Sequence, residues 1–409
     1  MFDSLKEFIN KPIFVQYYCD NTITLHIAKR IGLRFKYMWI CDGMSAIGKK
    51  VLVVHPYFND VGGAESVLFK ILEALIERKH DCSLLGELPS SNIFGNLPVS
   101  DVKQIRYSKI AFKSERFQTH KRLLRHLKLK DNLRKGVGEM DLEISTQDPM
   151  YFIGSGKKRV AYIHFSENFI RMQKSYHKYR WFWKLYYWPY TFFLKHQIKK
   201  VDLLICNSLY TQRAIMNSWG REAELVYPPV DIDDFKPVNK EPFVISVGRF
   251  TPAKNYELVI EVARRLPTVR FVIVARKRSG DPYFDKIVAL KPDNVDLIVD
   301  ASRADVSALL GKAKIYLHSM IGEHFGISVV EAMAAGCIPV VHNSGGPKEV
   351  MGKGYVFLYN DLEECVKAIE AALQSDDVTL SDYVERAKMF SADNFKRNFV
   401  ETLKRAGFL

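Results

Sequence analysis

The sequence predicts an α/β protein built from two doubly wound, Rossmann-like domains in tandem, facing a cleft. Three observations carry that expectation. The chain has 409 residues, more than one ordinary core accommodates and enough for two domains of about 150–200 residues each. Short apolar runs alternate with amphipathic helical patterns in two successive stretches, and strands separated by helices imply parallel sheets. Between the stretches stands Tyr227-Pro228-Pro229-Val230, where adjacent prolines exclude helix and central strand. Sheets of this kind bind ligands beyond the carboxyl ends of their strands.

Residues 1–43 fit neither stretch. They precede Met44, just before the first strand-like run, and are read either as a small added element or as a reading frame extended upstream of the initiator. The N-terminal domain is placed at 44–229. It opens with Val51-Leu52-Val53-Val54, passes through a helix over 64–78, and continues with strand-like runs at Leu142–Ser145, Val160–Ile163 and Leu203–Cys206. The C-terminal domain is placed at 230–409. It opens with Phe243–Val247 and a helix over 256–266, then runs through Phe271–Val274, Leu297–Val299, Ile315–Leu317 and Ile338–Val341. Acidic helical patterns at 361–374 and 381–405 close the chain.

Composition narrows the class. An apolar fraction of 47% with 26% charged residues describes a globular protein rather than a disordered or fibrous one. No window of about 18 uninterrupted apolar residues suggests a spanning helix, and the N-terminus lacks the pattern of a secretory signal. The six cysteines are irregularly spaced without a CxxC pair. That argues against a disulfide framework or zinc site and for a reducing cytosol. Cys206 and Cys337 read as small core residues. Residues 1–230 carry a net charge of +15 and residues 231–409 a net charge of −1. An anionic partner for the first half follows: a membrane surface, a lipid diphosphate or a nucleic acid.

The second half holds two chemical motifs. In Val247-Gly248-Arg249-Phe250-Thr251-Pro252-Ala253-Lys254-Asn255, Gly248 permits a tight turn. Arg249 and Lys254 can then reach an anion near a helix N-terminus, as a departing diphosphate requires. The plainer reading is a solvated basic loop. In Glu323-His324-Phe325-Gly326-Ile327-Ser328-Val329-Val330-Glu331, Glu323 precedes a helix and Glu331 lies within it. One carboxylate can hold sugar hydroxyls and the other a ribose, while Gly326 allows close backbone approach. The plainer reading is a capping acid and a solvated helix acid. Ala334-Ala335-Gly336-Cys337-Ile338-Pro339 and Asn343-Ser344-Gly345-Gly346-Pro347 follow; the Gly-rich turn alone is a weak signal.

Together these motifs resemble glycosyltransferase family 4, the retaining enzymes of the GT-B fold, over residues 50–405. The resemblance implies that Arg249 and Lys254 grip the donor diphosphate and that Glu331 holds the ribose. It implies that Glu323, with His324, the backbone of Phe325 and Gly326, and Ile327, forms the donor-sugar site. Strand ends at Val274-Ala275-Arg276 and Val299-Asp300 are expected to flank the base, with Ala275-Arg276 standing where a glycine pair is common. Gly62 and Gly63, after the first strand, are expected to lie against the donor phosphates. His164 ends the strand Val160–Ile163; from the residues alone it reads as a satisfied histidine at a sheet edge, and the resemblance places it beside the donor sugar. Asn207-Ser208 reads as a helix cap. The words His318–Ile327, His342–Pro347 and Tyr227-Pro228-Pro229 resemble one branch, the GDP-mannose-dependent α-1,2-mannosyltransferases that extend dolichyl-diphosphate oligosaccharides. A GDP-sugar donor, mannose and a lipid-linked or glycan acceptor are therefore expected.

Residues 171–200 contain eight Lys/Arg, eleven aromatics and no acid. Arg180, Trp181, Trp183, Lys184 and Trp188 stand out. Trp and Tyr favour the headgroup level of a bilayer and Lys and Arg favour anionic lipid, so peripheral docking at the cytosolic membrane face is expected. A basic, leucine-spaced stretch at 121–130 points the same way. Burial of the aromatics and nucleic-acid binding are the alternatives, and nucleic acid is not expected as a partner. Catalysis as the resemblance implies it is retaining transfer in which the departing phosphate takes the acceptor's proton. Arg249 and Lys254 stabilise charge; His164, Glu323 and Glu331 position the donor. No catalytic metal or cofactor is required, and Asp231-Ile232-Asp233 is read as a helix cap rather than a metal motif. A soluble starch- or sucrose-synthase-like enzyme, a sugar-nucleotide epimerase and a nucleic-acid-binding protein remain as rival functions.

Overall fold

The structure is a computed structural model that describes residues 48–57, 62–87, 102–106, 130, 133–147, 149–164, 180–277, 280–352, 357–375 and 378–409. Residues 1–43, most of the basic stretch 121–130, residues 171–179 and the side chains of Arg180, Trp181, Trp183 and Lys184 lie outside the described residues.

Two parallel sheets carry the fold. The first contains β1 (Lys50–Tyr57), β2 (Asp81–Glu87), β3 (Lys103–Arg106), β4 (Met140–Ser145), β5 (Gly156–Ile163), β6 (Leu203–Cys206) and β7 (Glu224–Leu225), in the order β3-β2-β1-β4-β5-β6-β7. The second contains β8 (Glu241–Arg249), β9 (Arg270–Arg276), β10 (Val295–Val299), β11 (Ala313–His318), β12 (Ile338–His342) and β13 (Leu358–Tyr359), in the order β10-β9-β8-β11-β12-β13. The second order repeats the first. In each sheet the chain reverses direction of growth beside the first strand, between β1 and β4 and between β8 and β11. Those switch points are where such sheets open a ligand crevice.

The predicted strand runs all lie in strands. Val51 to Val54 are buried in succession, as are Phe243 to Ser246, which fits strands covered on both faces. β2, β3, β7 and β13 escaped the sequence reading. β3 is a polar edge strand, Lys-Gln-Ile-Arg, and β7 and β13 are two residues each, so none shows an apolar run. The predicted helix over 64–78 is α1 (Gly63–Ile76), which buries Val67, Leu68, Ile71, Leu72 and Leu75 at helical spacing. The next helices are α2 (Arg180–Ile198) and α3 (Leu209–Trp219). Ser208 caps α3 as expected, its hydroxyl accepting the Thr211 N–H at 3.0 Å. Cys206 and Cys337 are fully buried among apolar neighbours.

The C-terminal helices are α4 (Tyr256–Arg265), α5 (Pro282–Leu290), α6 (Arg303–Lys312), α7 (Ile327–Ala334), α8 (Pro347–Met351), α9 (Leu362–Gln374), α10 (Val378–Ala387) and α11 (Ala392–Arg405). The pattern at 381–405 suggested one helix. The chain instead breaks at Lys388–Ser391, where Ser391 caps a new helix by accepting the Asn394 N–H. The break redirects the chain. Phe395, Phe399, Val400 and Leu403 of α11 join the core of the first sheet, with Val67, Leu68 and Ile71 of α1. The stretch 230–409 therefore gives its last helix to the N-terminal core. The chain crosses between the sheets twice, at Tyr227–Val230 and at Phe390–Ser391, and the crossings are tied by a 2.9 Å bond from the Val230 N–H to the Phe390 carbonyl.

Phe399→Ala removes a fully buried ring from the N-terminal core although the residue lies far along the chain. The expected loss is about 3–5 kcal/mol of unfolding free energy, read from urea denaturation. A loss under about 1 kcal/mol would place α11 outside that core.

Candidate active site

The carboxyl ends of β8 and β11 assemble the C-terminal half of the site. After β8 the chain turns at Arg249 and passes a short 3-10 turn, Pro252–Lys254, into α4. Gly248 has a reason to lack a side chain: a Cβ there would stand 2.8 Å from the Tyr256 hydroxyl oxygen and 3.4 Å from Lys254 Cε. Arg249 is exposed and has no ion pair among the described residues. Lys254 Nζ donates to Glu323 Oε2 at 2.7 Å. The backbone of this loop is fastened to the end of β11, where the Ser319 hydroxyl donates to the Lys254 carbonyl at 2.6 Å.

Glu323 lies in the loop between β11 and α7, and its carboxylate also accepts the His324 N–H at 3.0 Å. His318, the last residue of β11, is buried and stands 3.7 Å from the same carboxylate. Burial opposes ionisation of Glu323, but His318 and Lys254 together hold its carboxyl well below the usual range. Burial likewise pushes His318 down, towards the neutral ring. The Gly-rich turn fixes this loop from behind. A Cβ at Gly345 (φ +76°) would stand 2.2 Å from the Glu323 carbonyl oxygen, and one at Gly346 would stand 2.3 Å from that of His324. The Gly346 N–H donates to the Glu323 carbonyl at 2.8 Å. Glycine is required because two backbones touch, a stronger statement than the motif alone allowed.

Gly326 (φ +98°) precedes α7, and no side chain caps that helix. First-turn N–H groups of such a helix start can hold an anion. Glu331, one turn further along, is buried and donor-paired: Arg303 NH1 reaches its Oε1 at 2.6 Å. Burial pushes the Glu331 carboxyl up, with Arg303 opposing. The base-side strand ends are also connected, since the Asp300 N–H donates to the Ala275 carbonyl and the Lys277 N–H to Asp300 Oδ1 at 3.2 and 3.1 Å.

The N-terminal half comes from the carboxyl ends of β1, β4 and β5. His164 follows β5 directly. Its ring bonds the Thr146 backbone, and its Nε2 is buried without a partner. Burial, then the neighbouring His55, lower its pKa to about 4, and His324 adds to the effect from the C-terminal side. Among the described residues Nε2 has no hydrogen-bond partner, and β5 is an inner strand rather than a sheet edge. His55 is fully buried, 2.7 Å from the Thr146 hydroxyl and 3.8 Å from Glu65. Glu65 accepts the Gly62 N–H at 3.0 Å. That N–H was expected to face a phosphate and is engaged instead. Gly63 serves by its size: a Cβ there would lie 2.4 Å from Ile327 Cδ1, across the cleft.

A second contact across the domains is Glu349 of α8. Its carboxylate accepts the first N–H groups of α3, from Leu209 at 2.8 Å and Tyr210 at 3.2 Å. Near it Tyr227, Phe325 and Phe390 pack ring to ring, with centroids 5.1–5.8 Å apart. The cleft thus joins Arg249, Lys254, Glu323, His324, Phe325, Gly326, Ile327 and Glu331 on one side to Gly63 and His164 on the other. The residues expected to dock at a membrane lie elsewhere, on α2.

Two family models match successive parts of the chain: Glycosyltransferase Family 4 over residues 61–234 and Glycosyl transferases group 1 over residues 230–390. The chain belongs to glycosyltransferase family 4. Solved GT-B structures share the fold of this glycosyltransferase. HepE of Anabaena, in complex with UDP and glucose, matches 87% of the chain and 99% of its own at TM-score 0.66 and 18% identity. Sucrose-phosphate synthase of Thermosynechococcus elongatus matches 87% of the chain and 98% of its own at TM-score 0.71 and 16% identity. Among curated relatives, the GDP-Man:Man(3)GlcNAc(2)-PP-Dol alpha-1,2-mannosyltransferase of Mus musculus is 32% identical over 40% of this chain and 38% of its own length. The enzyme of that name from Dictyostelium discoideum is 30% identical over 49% and 47%. The chain therefore spans less than half the length of these relatives.

The cleft also gathers residues to which the sequence reading gave no role: His55, Glu65, His318 and Arg303. His55 and His318 lie at the carboxyl ends of β1 and β11, and the rule that singled out His164 would have found them. Arg303 opens α6, and only the fold brings it to Glu331.

His164 gives a pH prediction. Its folded pKa of about 4 lies below the unfolded value of about 6.5. Between these values the unfolded chain binds more protons, so stability falls as pH drops through that window. His164→Asn should flatten the fall in urea-derived stability between pH 7 and pH 5 (about two units across the window). An unchanged slope would contradict the neutral, buried imidazole.

Proposed function

We propose that this protein transfers a hexose, mannose favoured, with retention of configuration, from a GDP-sugar to a lipid-linked or glycan acceptor at a membrane surface. One observation carries the reading. The unpaired Arg249, the Lys254–Glu323 pair and the uncapped start of α7 converge on one side of the cleft, and His164 presents an unpartnered Nε2 from the other. That is a site for a diphosphate joined to a hydroxyl-bearing group. The mannosyltransferase names of the curated relatives favour GDP-mannose.

In this reading the donor diphosphate lies between Arg249, Lys254 and the N–H groups of α7, and charge developing on it is met by donors already in place. Lys254 turns from Glu323 towards the phosphate, which leaves the ionised Glu323 to accept sugar hydroxyls. His164 Nε2 accepts another. Glu331 holds the ribose as Arg303 moves aside. The C–O bond to the diphosphate breaks while the acceptor oxygen bonds to the same face of the sugar. The acceptor's proton passes to the departing phosphate oxygen, so no protein base is required. The cations present supply the charge stabilisation, and no catalytic metal is invoked.

The aromatic helix supports docking. Leu185, Trp188 and Phe192 of α2 are 67%, 64% and 61% exposed and fall at helical spacing on one face. The opposite face buries Leu194 and Ile198 against Met150. No helix among the described residues is long and apolar enough to cross a membrane. A stripe of this kind, with Lys195, Lys199 and Lys200 beside it, suits the interface of an anionic bilayer.

Two outcomes are expected. In a thermal-shift panel GDP-mannose stabilises the protein more than UDP- or ADP-sugars, and Arg249→Ala or Lys254→Ala lowers turnover by about 2–4 kcal/mol with EDTA present throughout. Near-normal turnover in either variant, or loss of transfer reversed by metal, overturns the diphosphate assignment. In co-sedimentation, binding requires anionic vesicles, weakens with salt and falls when Leu185, Trp188 and Phe192 become Ser. A protein that ignores anionic vesicles at low salt has no docking face on α2.

A further inference from the structure

A basic cavity of about 670 Å³ opens at the amino ends of β4 and β5. β5 runs from Gly156 to Ile163, and at about 3.3 Å per residue the cavity lies roughly 25 Å from His164, at the sheet's far end. Its polar lining is Arg134, Lys135, Glu139, Ser155, Lys157 and Arg159. Glu139 is the one carboxylate in that lining. Lys157 is shared with Asp141 at 3.2 Å, and Arg159 Nε stands 3.9 Å from the buried Glu143. Arg134 and Lys135 have no ion pair among the described residues.

Two donors are left over inside. Ser155 is 6% exposed and its hydroxyl has no partner; Arg159 Nε is buried and lacks a hydrogen bond too. The turn beneath cannot serve them. Glu143 is already engaged by the N–H groups of Ile153, Gly154 and Gly156. Gly154 (φ +82°) keeps the space open, since a Cβ there would approach Arg159 NH2 to 3.3 Å. Buried donors without acceptors are uncommon and costly.

We propose that this cavity is a second anion site, distinct from the cleft, that takes a phosphate group. A hydroxyl, a guanidinium and flanking ammonium groups form a donor set suited to an oxyanion with several acceptor oxygens. The site lies beside the end of α2, where Asp202 accepts the Arg159 N–H at 2.9 Å. The phosphate is that of a free solute or of a lipid headgroup, and the chemistry is the same. The inference does not depend on the donor or acceptor proposed above.

Equilibrium dialysis of the full chain with inorganic phosphate at fixed ionic strength is the test, on an Arg249→Ala, Lys254→Ala background that silences the cleft. That background should bind phosphate. Adding Lys135→Glu and Lys157→Glu, both at exposed positions, should weaken binding about tenfold or more, and Ser155→Ala alone should weaken it measurably. Circular dichroism verifies that each variant is folded, and Ser155→Ala decides should the charge reversals unfold. Phosphatidylcholine vesicles with and without phosphatidate form the second arm. Variant-sensitive binding in dialysis alone assigns a phosphorylated solute; variant-sensitive binding to phosphatidate vesicles assigns a headgroup. Absence of both, or binding that every folded variant retains, overturns the site.

Discussion

Glu323 is half-buried, and an ionised carboxylate drawn partly out of water is stabilised by a partner. Lys254 provides one at 2.7 Å and His318 stands at 3.7 Å. Much of the second domain is arranged around that pair. The Ser319 hydroxyl fastens the Lys254 loop to β11, and Gly345 and Gly346 let a second backbone press against the Glu323 loop. The same ammonium group that keeps Glu323 charged is the one a diphosphate would attract. In the function proposed above, donor arrival and release of the carboxylate for sugar hydroxyls are one event. The Arg303–Glu331 pair repeats the arrangement between α6 and α7. Both carboxylates are paired with a cation, which avoids a bare buried charge.

The two sheets are held in register by contacts that lie close to this chemistry. Glu349 caps α3 of the first domain from α8 of the second. Tyr227 and Phe390, one from each crossing, pack on Phe325, the residue before Gly326. α11 returns to the first core. Gly63 and Ile327 meet at its floor. A side chain at Gly63 would require the Ile327 side chain to shift.

Legibility in the sequence followed the physics of each element. Central strands such as β1 and β8 were plain because burial on both faces demands an unbroken apolar run. β3 was invisible because an edge strand has no such demand. The break before α11 rests on Ser391, a single cap inside an otherwise continuous helical pattern. Arg249, Lys254, Glu323 and Glu331 were legible as charged residues beside turns, and the structure brings them to one cleft. The Arg303 pairing was not legible, because it depends on the approach of α6 to α7. Gly62 and Gly63 looked equivalent, yet one N–H is taken by Glu65 and the other residue matters for its bareness. On α2 the sequence displayed a crowd of aromatics, and only the fold separates the exposed Leu185, Trp188 and Phe192 from the buried Leu194 and Ile198.

The central claim is that one residue from each domain acts on a single sugar: His164 from the first sheet and Glu323 from the second. A double-mutant cycle in kcat/KM tests it directly, using His164→Ala, Glu323→Ala and both together. Residues that position the same group are not additive. The account predicts that the double variant loses much less than the product of the two single losses. Single losses that multiply cleanly, in variants with unchanged folding, would contradict a shared sugar and with it the cleft described here.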